Sequence, residues 1–111
     1  MKVSTLVKKL DLKVISGHEG LEREITGGYV SDLLSDVMGK GDEGDIWVTL
    51  MAHINVMAVA SLKEMSAVVL INGITPDQKV IDKSNEEQIP ILSTNLPTYE
   101  ITGQIYNVLK G

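Results

Sequence analysis

The run AVVLI at residues 67–71 is short, rich in β-branched residues and apolar at every position. A strand with no polar face must be covered on both sides, the situation of a central strand in a parallel sheet flanked by helices. The surrounding residues repeat the arrangement. IWVTL at 46–50 precedes this run and PILS at 90–93 follows it, and each of the three leads into a helical pattern. The first is VMAVASLKEM at 56–65, where Met57, Ala58, Ser61 and Met65 can share a face; the second opens at TPDQ (75–78) and runs to about Glu87; the third carries Ile101, Ile105, Val108 and Leu109 as its inner stripe. Strand and helix alternating with such short connections predict right-handed parallel crossovers. The expected fold is α/β: a three-layer α/β/α sandwich around a mostly parallel central sheet of about five strands, with residues 1–111 as a single domain.

The first half of the chain reads less regularly. Val3, Leu6, Val7 and Leu10 predict a helix over 3–10, with Ser4 as its cap and Lys8 and Lys9 near the end that favours cations. Val14 and Ile15 begin a brief strand stopped at Gly17. A second extended stretch runs from Ile25 to Val30, and its paired Gly27 and Gly28 predict a bend or bulge. SDLLSDVM at 31–38 predicts one or two helical turns begun by Ser31 or Asp32, followed by a flexible acidic loop, GKGDEGD, at 39–45. In TPDQ, Thr75 is expected to cap the helix, Pro76 to sit in its first turn and Gln78 to complete a capping box.

Composition removes whole classes of function. The formal charge is −5 and the ten basic residues are scattered, which argues against nucleic acid as a partner. With no cysteine there is no disulfide, thiolate metal site or thiol nucleophile, and the chain suits a reducing cytoplasm. Charge interrupts the first thirteen residues every few positions, so they are read as the start of a mature soluble chain with no membrane partner. GKGDEG lacks the Lys-Ser/Thr ending of a phosphate loop and precedes a strand, so its ordinary reading is a solvated turn. Asp42, Glu43 and Asp45 lack the spacing of a calcium loop. His18 and His53 stand on separate segments without zinc-site spacing, and no metal or resident cofactor is expected.

The expected topology brings three polar elbows to one edge of the sheet. They carry His53 and Asn55; Asn72, Gly73 and Thr75; and Ser93, Thr94, Asn95 and Thr98. Open α/β sheets bind ligands beyond the carboxyl ends of their strands, and helix N-termini favour anions, so this rim is the candidate site for a small anion, a nucleotide or a phosphorylated metabolite. It contains no paired nucleophile and base, which points to binding without chemistry.

Two stretches resemble a known family. IPILSTNLPTYEITGQIYNVL is similar to the end of the N-terminal domain of HPr kinase/phosphorylase, where a proline-containing strand, a threonine-containing elbow and a final helix follow one another. VSTLVKKLDLKVISGHEGLEREITGGYVSD is similar to that domain's opening helix, short strand and G-x-x-G-L-x-R-x-I connection, here Gly17, Gly20, Leu21, Arg23 and Ile25. The related DRTGG domain, a single module or an insert beside CBS domains, covers nearly the whole chain. Where such domains carry Asp-Arg after the middle strand, this chain is read as having Ala52-His53; where they carry Thr-Gly-Gly it is read as having Ile71-Asn72-Gly73, with Gly73 retained. The kinase activity of the larger family belongs to a P-loop domain for which this chain has no sequence.

The resemblance implies a stand-alone, non-catalytic regulatory module that senses a ligand and self-associates as a homodimer, with a regulatory protein as a further partner. Trp47 and the five methionines offer an adaptable apolar patch, although the core is their default place. Two alternatives belong to other classes. One is a partner-switching protein resembling an anti-sigma antagonist, phosphorylated at Ser31 or Ser93; the other is a transferase with His53 as base.

Overall fold

A computed structural model describes all residues from Met1 to Gly111. The strands are β1 (Lys13–Ser16), β2 (Gly27–Val30), β3 (Asp45–Thr49), β4 (Ala67–Leu70) and β5 (Ile91–Ser93). The helices are α1 (Val3–Leu10), α2 (Leu34–Lys40), α3 (Ile54–Leu62), α4 (Gln78–Glu87) and α5 (Thr98–Lys110). The sheet order is β1-β5-β4-β3-β2, which puts β4 in the centre as its uniform hydrophobicity requires. β2, β3, β4 and β5 are mutually parallel, and β1 closes one edge antiparallel to β5.

Alternation along the strands builds two cores. Ile46, Val48, Ala67, Val69 and Leu92 face α1 and α5, where they meet Val3, Leu6, Ile101 and Ile105. Trp47, Val68, Leu70 and Ile91 face the opposite layer, formed with Val37 of α2, Val56 and Met57 of α3 and Val80 of α4. Every residue of β3 and β4 is buried. The helices are divided unequally, two on one face and three on the other, and β2 is left as an edge strand.

Several local expectations are corrected. Helix α3 begins at Ile54 and ends at Leu62; its buried residues are Val56, Met57, Val59 and Ala60, while Ala58 is exposed and Met65 packs from beyond the helix end. The segment is apolar on nearly all sides, so its periodicity does not orient it. Ser4 does not cap α1: the amides of Val3 and Ser4 donate to the carbonyls of Arg23 and Leu21, and the Ser4 hydroxyl donates to Glu22. The cap of α4 is Asp77, which accepts from the Val80 amide at 3.2 Å, and Gln78 donates forward to Asp82. A carboxylate next to the first helical residue replaces the threonine two positions earlier. Helix α2 starts at Leu34 and extends through Lys40, shortening the acidic loop. Trp47 is fully buried and its indole N–H donates to the Ser31 carbonyl, so it contributes to no surface patch.

Gly27 and Gly28 make no bulge, since β2 pairs with β3 in unbroken register; the irregularity lies in β1, between Val14 and Ser16. The reason for Gly27 is space. A Cβ there would lie 2.8 Å from Oδ1 of Asp45, the residue paired with it. Asp45 is 6% exposed, accepts a hydrogen bond from the Asp42 amide at 2.9 Å, and has its pKa raised by burial.

Two outcomes follow from this corner. Gly27→Ala displaces the Asp45 carboxylate from the Asp42 amide and is expected to cost about 1–3 kcal/mol, read as a lowered denaturant midpoint. Because the folded-state pKa of Asp45 is raised, its contribution favours the folded state at low pH and is lost as pH rises through that pKa. Asp45→Asn keeps an acceptor for the amide without the charge, so it should stabilise the protein at pH 7. The gain should shrink towards about pH 4, where the unfolded carboxyl also holds its proton; denaturant midpoints at the two pH values measure this.

Candidate functional site

Because β2 to β5 run in the same direction, the turns that leave them reach one rim of the sheet. His53 precedes the first residue of α3 and Asn55 lies in its first turn, both exposed. Asn72 and Gly73 follow β4 with φ of 54° and 69°, and Thr75 is exposed just beyond. Ser93 ends β5; Thr94 is half-buried, Asn95 exposed, and Thr98 half-buried at the start of α5.

Hydrogen bonds divide this rim in two. The turns after β4 and β5 are joined through their backbones: the Asn72 amide donates to the Leu96 carbonyl at 3.0 Å, the Gly73 amide to the Thr94 carbonyl at 2.8 Å, and the Thr94 amide to the Leu70 carbonyl at 3.0 Å. The Thr94 hydroxyl accepts from the Leu96 amide. A side chain at Gly73 would meet Oδ1 of Asn95 at 2.9 Å and would have to adopt a left-handed backbone, so glycine keeps these turns in contact.

The turn after β3 is tied instead to the turn after β2. Asp32 Oδ1 accepts from the Thr49 hydroxyl at 2.8 Å and from the Leu50 amide at 2.9 Å, and the Thr49 hydroxyl accepts from the Met51 amide. No hydrogen bond joins the two halves of the rim. His53 and Asn55 therefore belong with Asp32, and the other rim residues form a separate, more polar cluster. The half held by Asp32 also exposes Leu33, Leu50 and Ile54.

Asp32 is the residue that sequence reasoning missed in this role. An acidic side chain just after an extended stretch reads as the cap of the next helix, and nothing local shows that it closes a turn seventeen residues away. The two serines of the partner-switching reading are also not where that reading needs them. Ser31 lies ahead of α2 and its hydroxyl accepts from the Leu33 amide, while Ser93 lies within β5. The His53 side chain has no hydrogen-bonded carboxylate to orient it and forms no cap. What the rim offers is amide and hydroxyl side chains beside the amino ends of α3 and α5, neither of which has a side-chain cap.

Ala52-His53 and Ile71-Asn72-Gly73, read as standing where the family carries Asp-Arg and Thr-Gly-Gly, follow β3 and β4 at the rim. The chain has one Thr-Gly-Gly run, Thr26-Gly27-Gly28, with Arg23 shortly before it. These residues sit at the amino ends of β2 and β3, opposite the rim, and hold the fold together. Arg23 donates from Nε to the Gln88 carbonyl at 2.9 Å and from Nη2 to the Glu87 carbonyl, satisfying the end of α4. The Thr26 hydroxyl donates to the Glu43 carbonyl, the Thr26 amide donates to the Gly44 carbonyl, and Gly27 makes room for Asp45.

Of the three main grooves, only one touches the rim residues, through Thr98. The most enclosed, of about 380 Å³, runs between β2 and α5 and is lined by Gly28, Val30, Ile46, Val48, Ile105 and Tyr106 among others.

Comparison with curated proteins finds no match. Among solved structures, the chain resembles the CBS and DRTGG domains of the regulatory region of a Clostridium perfringens pyrophosphatase, complexed with its activator diadenosine tetraphosphate. The TM-score is 0.73 at 14% identity, over 91% of this chain and 44% of that one. This chain thus spans less than half of that structure, and the likeness shows the fold alone. The DRTGG domain family model matches residues 5–108, nearly the full length, and the chain therefore belongs to the DRTGG domain family.

Proposed function

We propose that this chain is a single-domain, cytoplasmic, non-catalytic regulatory module that self-associates and binds a nucleotide or phosphorylated metabolite at the carboxyl rim of its sheet, passing the signal to a regulatory protein. The observation that carries the reading is the cluster formed by the joined turns after β4 and β5. Asn72, Thr75 and Asn95 are exposed there with no side-chain hydrogen bonds of their own, beside the uncapped amino end of α5. Amides and hydroxyls at a helix N-terminus suit phosphate oxygens. Family membership and the regulatory setting of the pyrophosphatase structure support the same reading. So does the lone position of His53, without which the transferase alternative has no base. No helix is long and apolar enough to cross a membrane.

A thermal-shift series with AMP, ATP, diadenosine tetraphosphate and sugar phosphates tests this. A ligand at ten times its Kd adds about 1.4 kcal/mol, which is roughly a 5 °C rise in Tm for a domain of this size. Asn95→Ala should abolish most of that rise while leaving the Tm of the protein alone unchanged, since the side chain is exposed. If none of these compounds raises the Tm, the ligand reading is wrong.

A further inference from the structure

We infer that the free edge of β2, together with the outer face of α5, is the surface on which a second copy of this chain docks. The inference deepens the self-association proposed above and rests on it.

β2 is one of the two edge strands of the sheet, and its GGYV sequence carries no charge or proline to discourage pairing. The Ser31 amide donates to the Val48 carbonyl, directed at β3. Alternation along the strand then turns the N–H and C=O groups of Gly28 and Val30 outward. Around a twofold axis at Tyr29, Gly28 of one copy lies opposite Val30 of the other, and each such pair exchanges two hydrogen bonds. The side chains fit the same register. Val30 is 44% exposed, whereas Gly28 lines the groove between β2 and α5 without a side chain, so each valine packs beside the glycine of the other copy.

The same axis sets the two α5 helices antiparallel on one side of the joined sheet. A second groove lies along the outer face of α5, lined by Tyr99, Glu100, Gly103 and Tyr106, and it shares Val30, Thr102 and Tyr106 with the first. Gly103 has open space where a side chain would be, which allows close approach. Glu100 and Lys110 stand near opposite ends of α5, so an antiparallel arrangement brings unlike charges to each end although the chain as a whole carries −5. Tyr99 and Tyr106, 87% and 60% exposed, can bury roughly 300 Å² between them. The strand edge, Val30 and the groove lining supply the remainder of the about 800 Å² per partner that a stable dimer needs.

Cysteine-free sequence makes the test direct. In this register Tyr29 faces Tyr29 of the second copy as a non-hydrogen-bonded pair with Cα atoms about 4.5 Å apart, within disulfide range. Tyr29→Cys should therefore form a covalent dimer on mild oxidation, whereas Ser35→Cys, exposed on α2, should not. Val30→Lys should weaken the dimer at least tenfold in sedimentation equilibrium, with an unchanged circular dichroism spectrum showing that the monomer still folds. If the wild type is a dimer but Tyr29→Cys does not cross-link and Val30→Lys does not weaken the association, this interface is overturned and self-association stands. A wild-type protein that stays monomeric at high concentration overturns both.

Discussion

The need to cover a sheet apolar on both faces governs this structure. All residues of β3 and β4 are buried, and the large side chains among them, such as Trp47, Ile46 and Leu70, each gain about 1.5–3 kcal/mol by leaving water. That gain is available only if helices lie on both faces, which in a parallel sheet is what the crossovers supply. The direction of the strands follows from the crossovers, and the shared rim follows from the direction of the strands. The polar side chains at the rim are consequences of this packing as much as candidates for function.

The two ends of the parallel strands are held differently. At the amino ends, Arg23, Thr26 and Gly27 join α4, the acidic turn and Asp45 into a tight corner with a buried carboxylate. Residues there have little freedom to serve anything but the fold. At the carboxyl ends, backbone bonds and Asp32 hold the turns in pairs while leaving Asn72, Thr75 and Asn95 uncommitted. Rigid backbone under unengaged polar side chains is the arrangement that limits the entropy lost when a ligand binds.

What could be read from the sequence were the features with strong periodicity or uniform burial. AVVLI, IWVTL and PILS mark β4, β3 and β5 because only strands covered on both sides tolerate such runs, and their order with the intervening helices determines the parallel rim. Features that depend on contacts distant in sequence were not readable. Gly27 resembles a bulge until Asp45 is seen beside it, and Asp32 resembles a helix cap until Thr49 is placed against it. The same limit hid what the glycine pair does, since Gly27 and Gly28 are explained by the neighbouring strand and not by their own. The hydrophobicity of α3 on nearly all sides hid its buried face for a simpler reason, the absence of contrast.

Unequal helix cover also explains why the sheet ends as it does. β1, antiparallel on β5, is fastened to α4 through the buried Ser16–Ser84 hydrogen bond, and the Gly17 amide donates to Asn85, so that edge strand is anchored from within the chain. On the opposite side, α5 packs against both β2 and β3, and a groove stays open between it and the edge strand. The apolar side chains left over there, Val30, Tyr106 and Leu109, are those a small domain would bury against another surface. In the proposed dimer the second copy covers these side chains and completes that layer.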